Sequence, residues 1–319
     1  MSTDPVAPLA GAIFLGALAI ALAWPVPLLL ARAKWPSAAP VLAVALWQSI
    51  ALAGGISMIG SLLLAGLLPF GDELWTRIQG AAASLFHGPL PPEASLLNAF
   101  LLSAAILLTA HLILNLALTS VRSRNQRHRH MELLRLLSSP LPDAPSTRVI
   151  DHPAPAAYCL PGARSVTVLS EGMIDLLSPA QLDAVVAHER AHLRQKHHLL
   201  LDAFRSWKRS LPWFPIATRA QDAVALLLEM LSDDTARRTS GDAVLAEAIR
   251  LVDETGSAGA TLGAPKDRRT PEQRRAALVA REARLAPGGR RAVGPMLRAT
   301  VVVTTTLLVV VPPLVILFS

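Results

Sequence analysis

The feature that most constrains this chain is a set of four apolar windows, each long enough to cross a lipid bilayer. They run near residues 8–31, 41–68, 96–119 and 298–318. A helix needs about 20 mostly apolar residues to span the hydrocarbon core. Hydrophobic residues make up 52% of the chain and the mean hydropathy is +0.43, which is too apolar for an ordinary soluble domain. We therefore expect a mainly α integral membrane protein with about four transmembrane helices.

The distribution of lysine and arginine predicts how these spans are oriented. Basic residues cluster in the 32–40 loop and directly after the third window, whereas the 70–95 loop contains a single one, Arg77. Cytoplasmic loops are enriched in positive charge, so we expect the 32–40 loop and the 120–297 segment in the cytoplasm and both termini outside. The first window is interpreted as a retained span, because no lysine or arginine precedes its long apolar run. The predicted location is the plasma membrane, crossed several times.

The charge distribution argues against a nucleic-acid-binding protein, and the cysteine content argues against a disulfide-linked one. The net charge is +7, but much of the excess lies beside the spans, where it sets topology and contacts the lipid bilayer. We therefore expect no direct binding of nucleic acid. Cys159 is the only cysteine, which excludes an intrachain disulfide framework and fits a reducing compartment.

The order of apolar and polar stretches predicts three units. Residues 1–119 form a three-span membrane unit, 120–297 a cytosolic α+β domain, and 298–319 the fourth span. Within the domain, 139–165 is rich in proline and alanine and is expected to wrap the surface. The β-branched run SVTVLS, residues 165–170, predicts a strand.

Helix boundaries in the polar unit are well marked. Ser178 is a good N-cap, a proline follows it at the first helical position, and Gln181 completes a capping box. This helix is predicted to run to about Ser210, where a proline soon ends it. A second helix is expected over 217–239 and a short one around 271–285, the latter surrounded by loops.

The segment AHERAHLRQKHH, residues 187–198, carries the strongest chemical signal. On a helix, His188 and His192 lie on one face one turn apart, which lets both imidazoles reach one tetrahedral metal ion. Glu189 points about 100° away from them. It therefore lies beside the metal position, where a carboxylate can act as a base on an activated water. The H-E-x-x-H pattern predicts zinc-dependent hydrolysis.

A catalytic zinc site has three protein ligands and an open position, so a third ligand is needed. Glu229 lies in the apolar run LLLEMLSDD of the next predicted helix. A lone carboxylate is costly to bury there unless it meets a cation, which makes Glu229 the candidate. Asp233, one turn later, is placed to hydrogen-bond a ligand histidine. The alternative is an ordinary solvated carboxylate at a helix edge.

A specific resemblance is carried by AAYCLPGARSVTVLSEGMIDLLSPAQLDAVVAHERAH, residues 156–192, and by EMLSD, residues 229–233. These segments resemble the membrane gluzincin peptidases, a group that includes HtpX and the CAAX prenyl proteases. In that group an LPG-type turn and an edge strand precede H-E-x-x-H, and E-x-x-A-D follows on a later helix. Ser232 replaces the frequent alanine. The chain as a whole is more similar to the BlaR/MecR antirepressor peptidases, especially their compact actinobacterial relatives, with specific motifs over about 120–240.

The resemblance implies a zinc metalloendopeptidase. His188, His192 and Glu229 would bind Zn²⁺, and Glu189 would serve as general base and then general acid. Larger BlaR/MecR receptors carry an outer penicillin-binding sensor domain that is not found in this sequence, so direct covalent β-lactam sensing is not expected. The residue that stabilises the oxyanion is not identified. Four arginines are candidates by position only, with helix-end or solvated roles favoured for each: Arg237, Arg238, Arg274 and Arg275.

Three functions stay open at this point. The first is signalling by cleavage of a cytosolic BlaI-type transcriptional repressor, which the layout resembles more. The second is membrane-protein quality control, as in the HtpX-like group. The third is a non-enzymatic membrane receptor with a structural metal site, against which the intact Glu189 argues, because a structural site needs no base. Oligomeric state is not predicted.

Several other residues and one strand could also take part in function. His197 and His198 are expected to be solvated or to support a ligand from outside the metal's coordination sphere. The strand at 166–170 is interpreted either as a surface that binds substrate backbone by strand addition or as an edge strand covered by a loop. His111 and Asn115, inside the third window, are expected to make interhelical hydrogen bonds. Cys159 is expected to be a buried small residue and not a nucleophile.

Overall fold

A computed structural model describes residues 6–88, 91–141, 144–160, 165–212, 215–256, 270–289 and 292–319. The described chain is mostly helical and contains one small four-stranded sheet. Four of its helical segments are long and apolar enough to cross a membrane, which confirms the expected mainly α membrane architecture. Pro161 and Gly162 of the LPG-type turn lie outside the described residues.

In chain order the helices are α1 (Val6–Ala23), α2 (Pro25–Arg32), α3 (Pro40–Leu67), α4 (Leu74–His87), α5 (Leu96–Leu137), α6 (Glu171–Leu176), α7 (Pro179–Arg194), α8 (His197–Ser210), α9 (Pro215–Ser240), α10 (Asp242–Gly256), α11 (Pro271–Leu285) and α12 (Pro295–Phe318). The strands are β1 (Ser138–Leu141), β2 (Ala144–Ile150), β3 (Ala157–Leu160) and β4 (Val166–Ser170). The candidate spans comprise α1 with α2, then α3, most of α5, and α12.

The spans differ in how much of their surface is covered by protein. Half of the most apolar window of the second span is buried, compared with 6% for the third and 11% for the fourth. The first span is broken at Trp24, between α1 and α2, because Pro25 has no amide hydrogen to donate to the helix. α3 is therefore the central helix of the bundle, and α5 and α12 present large apolar side chains that suit lipid.

Opposite ends of the bundle carry different parts of the chain. At one end Arg284 of α11 donates a hydrogen bond to the backbone oxygen of Ser37, between the first two spans. At the other end Arg77 of α4 donates to the backbone oxygen of Ser319, at 3.0 Å. The 32–40 loop thus lies on the same side as the polar segment, as the charge pattern predicted. That this side faces the cytoplasm stays a prediction.

The sheet corrects the expectation for the proline-rich segment. Its strand order is β1-β2-β4-β3, with β2 and β4 parallel and the other pairs antiparallel. Residues 139–165, expected to wrap the surface, instead supply most of β1 and all of β2 and β3. Composition did not reveal this because strand formation depends on partners that are distant in sequence.

The strand at Val166–Ser170 is confirmed, but it is not an edge strand. β4 pairs with β2 on one side and with β3 on the other, so both of its edges are already hydrogen-bonded. Both interpretations of this strand, as a surface for strand addition and as an edge strand covered by a loop, are therefore wrong. In the described sheet the outer strands are β1 and β3.

The helix that was predicted to run from Ser178 to Ser210 is two helices. α7 ends at Arg194 and α8 begins at His197. The interruption falls at Lys196, whose φ of +52° is left-handed and cannot continue a right-handed helix. The other two helix predictions are confirmed, since α9 covers 215–240 before Gly241 at φ +80° and α11 covers 271–285.

Helices α8 and α9 pack directly against the membrane helices. Phe204 of α8 and Val224 of α9 lie in one buried cluster with Trp47 and Ile50 of α3. His111 of α5 lies with its Nε2 3.2 Å from the backbone oxygen of Ser210, which is one of the last carbonyls of α8. This interhelical contact confirms the expectation for His111, whereas the described hydrogen bonds of Asn115 stay within α5.

Candidate metal centre

The helix α7 places the two histidines of the H-E-x-x-H motif on a common buried side. Ser178 Oγ accepts from the Gln181 backbone, and the Gln181 side chain accepts from the Ser178 backbone at 2.9 Å, so the capping box forms as the sequence predicted. From this fixed start, His188 and His192 come one turn apart. His188 is 7% exposed and shares its side of the helix with the fully buried Ala184.

Three nitrogen and oxygen donors converge at this point. His188 Nε2 and His192 Nε2 lie 3.1 Å apart. The Glu229 carboxylate reaches across from α9, with Oε2 at 3.4 Å from His188 Nε2 and Oε1 at 3.5 Å from His192 Nε2. Within the described residues, these three form the one group of histidine, cysteine and carboxylate side chains close enough to share a metal ion.

The donor set fits a catalytic zinc ion. A tetrahedral zinc with bonds of about 2.0–2.1 Å separates its ligand atoms by roughly 3.3 Å, and the three separations scatter around that value. Two imidazole nitrogens that face each other beside a carboxylate need a cation between them, either a metal ion or a proton. Two histidines with one glutamate are also a known ligand set of zinc peptidases, and they leave a fourth position open.

The electrostatics of the cluster favour positive charge at this position. Burial by itself lowers the pKa of His188, but contacts with Asp233 and Glu229 outweigh burial and raise the pKa to about 9. Burial tends to raise the pKa of Glu229, yet hydrogen bonds with His188 and His192 and the charge of Arg281 hold it well below its usual range. A cation therefore suits this cluster at neutral pH.

Asp233 lies against the ring of His188 on the side away from the cluster. Its Oδ1 is 2.9 Å from His188 Nδ1, a short contact that is poorly aligned as a hydrogen bond. Burial tends to raise the pKa of Asp233, but hydrogen bonds from Arg281 outweigh it and lower the pKa to about 2. Asp233 is thus an ionised carboxylate that lies next to His188. Its part in orienting a ligand histidine stays a prediction.

Arg281 is the residue of this site that the sequence interpretation missed. It extends from α11, with Nη1 3.4 Å from Glu229 Oε2, and it also binds Asp233. A signal existed, because Arg281 lies four residues from each of Ala277 and Leu285, which are both buried. An arginine on the buried side of a helix requires a carboxylate partner.

The four arginines that were considered as oxyanion donors from their sequence position do not occupy the position of Arg281. Arg237 pairs with Asp242 on the next helix, and the other three are exposed. Their expected helix-end or solvated roles agree with this arrangement. The three exposed residues are Arg238, Arg274 and Arg275.

Glu189 stands beside the cluster without being part of it. Its side chain is partly buried, and among the described residues it forms no hydrogen bond or ion pair. Burial raises the pKa of Glu189 above its ordinary value, although the charges of His188 and His192 act in the opposite direction. A carboxyl with a raised pKa and no competing partner can both accept and return a proton.

The edge strand β3 lies next to this carboxylate. Burial raises the pKa of the Cys159 thiol, and the negative charge of Glu189 raises it further. Cys159 is partly buried and its Sγ lies 3.4 Å from Thr167 Oγ1. A thiol with a raised pKa is a poor nucleophile, in agreement with the structural role expected for Cys159.

The two histidines after the motif differ from each other. His197 is 2% exposed, and its Nδ1 lies 2.9 Å from His192 Nδ1. Burial and the neighbouring His192 lower the pKa of His197 to about 4, so its imidazole is neutral. His198 is half-buried, and its charged neighbours include Arg127 and Asp202. Of the two roles weighed for this pair, solvation is excluded for His197.

Comparison with known proteins gives the same class of chemistry. Residues 122–220 match the model of peptidase family M48. The matched segment includes all of α7 and α8, and it ends before Glu229. Together with the four apolar spans, the M48 match indicates a membrane-associated metallopeptidase. No curated protein and no solved structure matches the chain.

Proposed function

We propose that this chain is a zinc endopeptidase that cuts protein substrates close to the membrane surface. The observation that carries the proposal is the pairing of a three-donor cluster, His188, His192 and Glu229, with an unengaged carboxyl at Glu189. A structural metal site needs no base, whereas peptide hydrolysis needs one that releases its proton again.

Each described side chain has a distinct part in this reaction. Bound zinc would polarise a water molecule and lower its pKa toward about 7. Glu189 would accept a proton from the attacking water and would then donate a proton to the departing amine. Asp233 holds the His188 ring, and Arg281 balances the negative charge of Asp233 and Glu229.

The edge strand β3 is the proposed binding surface for the substrate backbone. It is an outer strand of the described sheet, and Cys159 in it lies close enough to Glu189 for that carboxylate to raise the pKa of the thiol. An extended peptide that adds to this edge would run past the catalytic carboxyl. This replaces the proposal for the strand at 166–170, whose edges are both occupied.

The position of the site supports a membrane-proximal substrate. Asp234, the neighbour of Asp233, binds Arg284, and Arg284 binds the backbone of Ser37 between the first two spans. The candidate metal cluster is therefore close to the end of the bundle that carries the 32–40 loop. A cytosolic BlaI-type repressor and the cytosolic parts of damaged membrane proteins are the two substrate classes that we propose, with the repressor first because the span layout resembles the antirepressor peptidases.

One experiment tests the activity and separates these substrates. New protein N-termini are compared in cells that carry the wild-type chain or Glu189→Gln, under several cell-wall stresses. Ends inside a small DNA-binding repressor that require the wild type support antirepressor signalling, and ends across membrane proteins support quality control. If the purified protein binds zinc and Glu189→Gln changes no proteolytic product, the peptidase proposal is wrong. A closed four-ligand site in X-ray absorption would then favour the receptor.

A further inference from the structure

His197 makes a direct contact with a metal-ligand candidate from outside the cluster. Its Nδ1 lies 2.9 Å from His192 Nδ1, and the two rings meet edge to face with centroids 4.8 Å apart. His192 Nδ1 is the ring nitrogen that faces away from His188 and Glu229. Because His197 is almost completely buried, water does not compete for this contact.

A left-handed residue makes this contact geometrically feasible. On a continuous helix, residues five apart point about 140° away from each other. Lys196 has φ +52° and ψ +36°, and in the described chain it is the one residue other than glycine with positive φ. This conformation is uncommon for lysine and typically costs about 1 kcal/mol or more. It ends α7 and starts α8 so that the His197 ring turns back onto His192.

The hydrogen bonds beyond His197 have a fixed direction. Thr235 Oγ1 on α9 donates its hydrogen to the backbone oxygen of Leu231 at 3.0 Å. It therefore accepts from Gln195 Nε2, at 2.9 Å. The Gln195 amide is oriented by this bond, so its Oε1 faces His197 Nε2 at 2.8 Å and accepts the hydrogen there.

This direction determines which nitrogens carry protons on both rings. A neutral imidazole has one N–H, and His197 uses it at Nε2. Its Nδ1 is then an acceptor, and His192 must supply the hydrogen of the 2.9 Å contact from its own Nδ1. The Nε2 of His192 is left with a free lone pair that points toward His188 and Glu229.

We propose that His197 is a positioning residue that holds His192 in the tautomer and orientation required for binding zinc through Nε2. The chain of hydrogen bonds extends from the backbone of Leu231 through Thr235 and Gln195. It gives His192 a neutral partner, whereas His188 faces the charged Asp233. The inference rests on the metal site of the proposed function, and it does not require the site to cut peptides.

The inference is tested by the zinc affinity of the full chain in detergent. This affinity is measured by competition with a chromophoric chelator. His197→Leu removes the acceptor, and we expect a ten- to hundredfold loss of affinity, the usual effect of removing such a ligand partner. His197→Asn keeps an acceptor oxygen near the place of Nδ1 and should stay within about threefold of wild type. His198→Leu is the matched control on the same turn and should leave the affinity unchanged.

Gln195→Leu gives a second test at an exposed position that leaves the buried ring in place. It removes the acceptor of the His197 N–H, and we expect about a fivefold loss of zinc affinity. Wild-type affinity in both His197→Leu and Gln195→Leu would overturn the proposal. So would equal losses in His197→Asn and His197→Leu, because only packing would then matter. Loss of proteolysis in Glu189→Gln is a separate readout, so the two proposals can fail independently.

Discussion

Arg281 of α11 donates two hydrogen bonds to Asp233 of α9, each 2.7 Å long, and these two residues, 48 apart in sequence, join their helices beside the candidate metal cluster. Asp233 is 3% exposed, and Arg281 also lies 3.4 Å from Glu229. The site thus holds two carboxylates near one guanidinium and two imidazoles. Its stability depends on that balance of charge.

Replacement of Arg281 by glutamine should destabilise the metal-free protein. It removes the arginine that donates two hydrogen bonds to the buried Asp233 and leaves that carboxylate with His188 as its cationic neighbour, which typically costs about 3 kcal/mol. Zinc supplies positive charge to the same carboxylates, so the loss should be smaller in the zinc-loaded protein. Thermal unfolding in detergent with and without zinc measures both effects. Arg250→Gln on the exposed face of α10 is the control and should change little.

The pH dependence of the metal-free protein follows from His188. Its pKa is raised from the ordinary 6.5 to about 9 on folding, so the stabilisation is complete below pH 6.5 and is lost as the pH rises through 9. The loss is on the order of 3 kcal/mol. We expect the unfolding temperature of the wild type to fall over this window relative to His188→Asn. A difference that stays constant from pH 6.5 to 9.5 would contradict the assigned protonation.

Zinc binding should show the opposite trend with pH. The metal must displace the proton that His188 carries in the metal-free site, so affinity should rise as the pH approaches 9. Asp233→Asn removes one cause of the raised pKa and should shift this rise to lower pH. Chelator competition across this range measures both. An affinity independent of pH would show that His188 is already unprotonated.

The close approach of Trp207 to Gly55 predicts a size limit at one position of α3. A Cβ at Gly55 would lie 2.9 Å from the Trp207 ring, whereas one at Gly54 would meet its nearest neighbour at 3.7 Å. Gly55→Ala should therefore cost about 1 kcal/mol. Gly54→Ala should be neutral or stabilising, because alanine favours helix. Equal unfolding temperatures for the two variants would mean that α8 does not press against the second span.

The contacts of Asp202 form a second point of attachment between α8 and the third span. It is 4% exposed and accepts from Ser123 Oγ at 3.0 Å and from Arg127 at 3.4 Å, both on α5. Asp202→Ala leaves these donors without their acceptor and should destabilise the protein by about 1–3 kcal/mol. Asp183→Ala, at an exposed position of α7, is the comparison. If limited proteolysis and thermal unfolding do not distinguish the two variants, the attachment is not important for stability.

Local patterns determined the parts of this protein that depend on residues close together in sequence. Hydropathy alone marks four spans, since a bilayer requires about 20 apolar residues in each. The capping box at Ser178 and Gln181 forms as predicted because its partners are three residues apart. The spacing of His188 and His192 places both rings on one face for the same reason.

Only the tertiary structure decided the contacts between distant segments. The neighbours of β4, the approach of Glu229 to two histidines of α7, and the arrival of Arg281 from α11 each depend on packing that no local period encodes. The clearest example of a local conformation that depends on a tertiary contact is the backbone of Lys196. Its left-handed backbone is unfavourable in isolation, and it persists because His197 gains a buried partner in His192, at 2.9 Å, when the chain turns there.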